Sequence, residues 1–151
     1  MPEPTSALLT DILGQVLQES AFLVAEPGEE PAAWDGPVLT ARIAFESTRG
    51  GSLRLVTTPA ASAEIAANML GIDPGAEAEE NGRAALAEVL NMLGGAFVTR
   101  YFGAAVPSQL GLPSTELWQG APPASSRSCA VAVRLESGAP VVMELDLEEG
   151  G

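Results

Sequence analysis

Glu88 and Asn91 stand three positions apart in the segment Asn81–Phe97, NGRAALAEVLNMLGGAF. On an α-helix that spacing puts both side chains on one face, about one turn apart. A carboxylate can pair with a cation, and a carboxamide can accept from and donate to the same water molecule. No other part of the chain pairs polar groups in this way. The rest of the composition leaves few rival schemes. There is no His and no Lys, and all seven basic residues are Arg. That excludes histidine general bases and metal ligands, Schiff-base lysines and the lysine of a phosphate-binding loop. Cys129 is the single cysteine. It lies in an alternating apolar run, AVAV at 130–133, so a buried strand residue is expected rather than a nucleophile. One cysteine allows neither a disulfide framework nor a thiolate zinc site within the chain.

The helix that must carry the pair is predicted over about Ala78–Phe102, with Gly94-Gly95 as a weak point inside it. Advancing 100° per residue collects Leu86, Val89, Leu90, Leu93 and Phe97 on the side that should meet a core. Ala84, Glu88, Asn91 and Gly95 form a stripe on the opposite, solvent side. That stripe lacks the long charged side chains of an ordinary solvated face. Ala84, Ala87 and Gly95 are small, and leave room for another surface to approach the two polar groups. The pattern alone remains compatible with an ordinary solvated face, and Gly95 with a close helix–helix contact. Glu77, Glu79 and Glu80 suit the positive end of the helix dipole without any function.

The remaining elements must position this helix. Thr5 or Ser6 can cap a first helix with Leu8, Leu9, Ile12, Leu13, Val16 and Leu17 at helical spacing, ending by about Phe22. Residues 26–37 read as an acidic, turn-rich loop. Val38–Glu46 and Ser52–Thr58 alternate as strands about a corner at Thr48–Gly51. Pro59 opens a second helix through Ala63, Ile65, Ala66, Met69 and Leu70, which Gly71 stops. Pro107–Pro113 reads as loop, and Thr115–Trp118, Ser128–Glu136 and Val141–Leu147 as strands, with a frayed tail over 148–151. Hairpin strands interleaved with helices predict an α+β domain spanning 1–151, with helices on one face of a mainly antiparallel sheet. At 46% hydrophobic, 151 residues suffice for a full core without metal or disulfide.

Charge narrows the partners. The formal net charge is −13 and the pI about 4.1. Such a surface repels phosphodiester backbones and anionic lipid, so neither nucleic acid nor membrane is an expected partner. No basic leader and no membrane-length apolar run are evident, and the cytoplasm is the expected location. Trp34 is expected over the edge of a small core or as a partner anchor, and Trp118 in core or subunit interface. Arg42, Arg54 and Arg134 fall at polar strand positions, solvated or paired with nearby Glu.

Four markers in order carry a resemblance: Gly51-Ser-Leu-Arg-Leu55, Asn68-Met-Leu-Gly71, Glu88-x-x-Asn91-Met92 and Pro113-Ser-Thr115. They resemble the CheC/CheX/FliY family of chemotaxis phosphatases, and CheX most, from about Gly50 to Gly120. The resemblance implies a CheX/CheC-like fold and loss of the aspartyl phosphate from a CheY-type response-regulator receiver. It also implies that Glu88 forms a salt bridge to the receiver's lysine and that Asn91 places the attacking water. Mg²⁺ would come with the receiver, the chain having no cofactor of its own, and a homodimer joined through sheet edges is implied. A Gln orients water similarly in GTPases, where positioning matters more than proton abstraction. Two departures stand out. The family usually has Asp or Ser where this chain has Ala84, so a catalytically weak binding or adaptor module is the alternative. The first helix lacks the ExxN of two-site members.

Overall fold

In the computed structural model, which describes residues 3–149, local chemistry sets the ends of the first two helices. Helix α1 (Ser6–Ala21) is capped by Thr5, whose hydroxyl accepts from the Leu8 N–H at 3.1 Å. It ends at Phe22, in the left-handed region at φ 55°, and the Asn68 side chain donates to the Ala21 carbonyl there at 2.8 Å. Strand β1 (Glu26–Gly28) follows, then the hairpin β2 (Val38–Glu46) and β3 (Gly50–Thr57). Helix α2 (Pro59–Leu70) has Thr58 as its cap, Pro59 in its first turn and Gly71 as its left-handed stop. Helix α3 (Ala76–Phe102) is 27 residues long. Strands β4 (Gln109–Leu110), β5 (Ser114–Trp118), β6 (Cys129–Arg134) and β7 (Pro140–Leu147) complete the chain.

The strands form one seven-stranded sheet in the order β1-β6-β7-β3-β2-β4, with β5 also on β2. Every pairing is antiparallel. Because side chains alternate along a strand, Leu39, Ala41, Ile43, Phe45, Leu53, Leu55, Met143 and Leu145 all point to one face. There they join Leu9, Leu13, Leu17, Ile65, Leu86, Leu90, Leu93 and Phe97 from the three helices in one core. The other face carries only a small cluster, Val38, Val56, Ala132 and Val142, on which Trp34 and Trp118 pack. This is the expected α+β architecture, with the helices on one face.

Several expectations are corrected. Helix α3 starts two residues early and runs unbroken through Gly94-Gly95. A Cβ at Gly94 would meet Leu110 at 3.1 Å and Ile43 at 3.6 Å. The first glycine therefore serves close packing on the sheet, and tertiary contact overrides its low helix propensity. The segments expected as loops contain β1 and β4, each too short to show a period. Strand β6 stops at Arg134 because Leu135 and Ala139 close the turn to β7, with Gly138 at φ 90°. Cys129 is half-buried, not buried, with its sulfur 3.7 Å from the Ser6 hydroxyl. Glu148 is tied to the hairpin, its N–H donating to the Gly50 carbonyl at 2.9 Å. The last two positions of the expected frayed tail lie outside the described residues.

Candidate docking and catalytic face on α3

Leu86, Val89, Leu90, Leu93 and Phe97 are all fully buried, which fixes the roll of α3 about its axis. Ala84, Glu88 and Asn91 are consequently exposed, with Gly95 and Ala87 partly so. The rise of 1.5 Å per residue separates Glu88 from Asn91 by about 4.5 Å along the axis. Among the described residues neither side chain has a hydrogen-bond or ion-pair partner; the carboxylates engaged by Arg are Glu3, Asp11, Glu30 and Glu144. A Cβ on Gly95 would meet nothing within 4 Å. Two polar groups thus stand free on a stripe cleared of bulk, backed by a rigid apolar face.

Helix α2 lies alongside. A Cβ at Gly82 would come within 2.6 Å of the Ser62 hydroxyl, so Gly82 lets the two helices touch. The contact brings the end of α2 against the start of the stripe. Met69, Leu70, Asn81, Ala84, Ala85 and Glu88 then line a shallow trough of about 200 Å³. Met69 packs partly into the core, but Leu70 is 55% exposed. Sequence reasoning assigned Leu70 to the apolar set of the second helix and so missed it as surface. Its place as the last residue before the Gly71 stop was the available signal.

The other charged cluster is differently built. Glu144 on β7, its side chain 8% exposed, accepts from Arg54 on β3, from Arg127 at 3.0 Å and from Ser125 at 3.2 Å. Arg127 also donates to Glu30 at 2.9 Å. That bond, with the field of the two carboxylates, raises the Arg127 pKa further above its ordinary value despite some desolvation. Arg54 donates onward to the Pro123 carbonyl at 3.0 Å. Every group is satisfied, so the cluster clamps the 119–128 connection onto the outer face of the sheet and leaves no reactive atom free. Arg54 is paired as expected, while Arg134 donates to the Gly138 carbonyl and Arg42 is exposed. Trp118 donates to the Thr40 hydroxyl at 3.0 Å.

Among the described residues no group of three or more His, Cys, Asp or Glu is placed to hold a metal ion. The α3 stripe carries one carboxylate, that of Glu88. Among those residues no helix is long and apolar enough to cross a membrane.

Comparison with known proteins bears on the fold and the family. No curated protein matches the sequence. Among solved structures, CheX from Desulfovibrio desulfuricans superposes with a TM-score of 0.74 at 19% identity, over 95% of this chain and 98% of that one. CheX from Vibrio vulnificus gives 0.72 at 17% identity, over 97% and 100%. A match from Borrelia burgdorferi is a CheX–CheY–BeF3–Mg²⁺ complex, at 0.73 and 18% identity, over 95% and 97%. These likenesses show the fold. The family profile "Chemotaxis phosphatase CheX" matches residues 39–133, most of the chain, from β2 through α3 into β6. The chain belongs to the CheX family of chemotaxis phosphatases.

Proposed function

We propose that this chain accelerates loss of the aspartyl phosphate from a CheY-type receiver domain, with Glu88 docking the receiver and Asn91 placing the attacking water. The observation that carries the reading is the unpartnered Glu88–Asn91 pair, exposed on a stripe of small residues in a CheX-family chain. The receiver would bring the phosphoaspartate, a lysine and the Mg²⁺ that offsets phosphoryl charge. The Glu88 carboxylate takes the lysine ammonium as a charge-assisted pair and fixes the register of the two proteins. The Asn91 amide oxygen accepts a hydrogen bond from a water and points its lone pair at phosphorus, opposite the aspartyl oxygen. The water oxygen bonds to phosphorus, and the bond from phosphorus to the aspartyl oxygen breaks with its electron pair left on the aspartate carboxylate. Both water protons depart with inorganic phosphate, which then equilibrates with solvent. No strong base is required, because a loose phosphoryl transition state depends on alignment and charge stabilisation. On this reading the chain works in the cytoplasm beside its substrate, as a homodimer.

A second reading, a receiver-binding module of weak activity, is favoured by Ala84. It is exposed one turn before Glu88 and offers the partner no polar contact. Decay of a phosphorylated CheY-type receiver from the same genome, followed by phosphate release, separates the two. Wild type should speed decay, and Asn91→Ala should slow the saturating rate about 100-fold with binding intact. Glu88→Ala should instead raise the half-saturating receiver concentration. Binding without acceleration by wild type would leave only the module; an Asn91→Ala variant as fast as wild type would sink the water-placing role.

A further inference from the structure

The trough beside Glu88 has a chemistry of its own. Met69, Leu70, Ala84 and Ala85 give it apolar walls, and Asn81 closes one end. Glu88 is its one charged member, so the trough runs from uncharged surface to a lone carboxylate. One N–H of the Asn81 amide donates to the Glu77 carbonyl at 2.8 Å, which holds that side chain along α3. Leu70 presents more than half its surface to water, although it sits at the end of a helix whose neighbours Ile65, Ala66 and Ala67 are buried. Large apolar side chains left exposed beside a concavity mark contact surfaces more often than plain surface. The roll and spacing of the helices make the trough continuous with the Glu88–Asn91 stripe.

We infer that Leu70 and its trough seat an apolar side chain of the receiver domain, next to the cation that pairs with Glu88. The inference rests on the proposed function and adds the residue that selects among receivers. Charge complementarity specifies the occupant. A carboxylate at the end of an apolar trough, in a chain of net charge −13, favours a partner with an apolar group flanked by Lys or Arg. An acidic residue at that place of the partner would meet the like charge of Glu88, and a polar one would be desolvated against Met69, Leu70, Ala84 and Ala85, so both are disfavoured. Ala84 belongs to this surface as wall, its methyl group extending the apolar floor towards Glu88.

The test uses the full chain and a CheY-type receiver from the same genome, held in its active form by beryllofluoride and Mg²⁺. Leu70→Asn is an exposed substitution that leaves the core intact. Covering the exposed half of a leucine predicts that its loss weakens binding about tenfold. In phosphate release the half-saturating receiver concentration should rise by the same factor with the saturating rate unchanged. Val24→Asn, an equally exposed apolar position (56%) in a separate concavity with Arg134 and Leu135, should change neither. A Leu70→Asn binding curve that overlays wild type overturns the inference. An equal loss in Val24→Asn overturns it too, by showing a non-specific effect. Tenfold weaker binding by Leu70→Asn, with no acceleration of decay by wild type, upholds the trough and refutes the phosphatase reading. Absence of wild-type binding to every such receiver refutes both.

Discussion

Replacing Gly82 by Ala sets two known effects against each other at the contact that builds the docking face. Gly in a helix interior costs about 1 kcal/mol relative to Ala, so propensity alone makes Gly82→Ala stabilising. The new methyl group, however, would lie 2.6 Å from the Ser62 hydroxyl, 3.3 Å from its Cβ and 3.4 Å from the Ala63 nitrogen. Ser62 is 3% exposed and its hydroxyl donates to the Pro59 carbonyl at 2.8 Å, so turning it away breaks that bond in a buried place. Overpacking of this kind costs about 1–3 kcal/mol. The clash outweighs the propensity gain, and the net loss should be about 1 kcal/mol, or a Tm lower by about 2–4 °C in a chain of this size. In a Ser62→Ala background the closest atom is gone. The remaining contacts at 3.3–3.4 Å need a shift of only a few tenths of an ångström. There the same glycine substitution should be neutral or stabilising. A double-mutant cycle by thermal and urea unfolding reads the coupling, expected to be about 1 kcal/mol. Stabilisation by Gly82→Ala in the wild-type background would refute the argument that this glycine sets the spacing of α2 and α3.

Two further outcomes can be checked without the receiver. Glu144→Ala strips the mostly buried Arg54 of its carboxylate and frees the 119–128 connection. It should cost about 3 kcal/mol, since breaking a buried pair leaves a charge uncompensated. The expected Tm loss is about 6–12 °C, and a shift near zero would mean that Arg54 re-pairs. The homodimer should appear by sedimentation at micromolar concentration. Strand β5 pairs only with β2, and β1 covers only 132–134 of β6, so both ends of the sheet offer edge strand. Leu117→Lys on β5 should give monomers if that edge is used; a wild-type monomer refutes the dimer.

Much of the fold was legible because its periods are clean. Leu86, Val89, Leu90, Leu93 and Phe97 announced the buried face of α3, and the alternation of 38–46 set β2 to the residue. Helix punctuation did much of the rest: Thr5, one of the two cap candidates, begins α1, Pro59 opens α2 and Gly71 stops it, although Thr58, read as the last strand residue, is the cap of α2. What stayed hidden depends on partners distant in sequence. Nothing local reveals that a Cβ at Gly51 would run into the Asp146 carbonyl, yet that contact explains the glycine at the second position of β3. Gly94 reads as a helix breaker until Leu110 and Ile43 are seen against it. Strand β1 is three residues long, and its register against Arg134 is set by the edge of β6, not by its own pattern. At the candidate site the polar pair was visible in the sequence. Its apolar shoulder was not, because the exposure of Leu70 depends on how α2 ends against α3.

The same packing decides how well the proposed chemistry could work. The site offers neither His nor Lys as a base, and the proposed mechanism commits Glu88 to docking, so on that mechanism the rate comes from position. Misplacing a catalytic group by about 1 Å can cost about 100-fold. The Asn91 side chain has no hydrogen-bond partner among the described residues, and its backbone is held by its neighbours along the helix. Leu90 and Leu93 are fully buried on either side, and Gly94 lies in close contact with Leu110 and Ile43. A substitution such as Gly94→Ala, on the hidden face of α3, puts a methyl group 3.1 Å from a Leu110 methyl and 3.6 Å from Ile43, so Leu110 gives way or the helix shifts by a few tenths of an ångström beside Asn91. On the positioning mechanism it should lower the saturating rate more than it weakens receiver binding. Docking tolerates small shifts across a broad surface, whereas alignment of one water with one phosphorus does not.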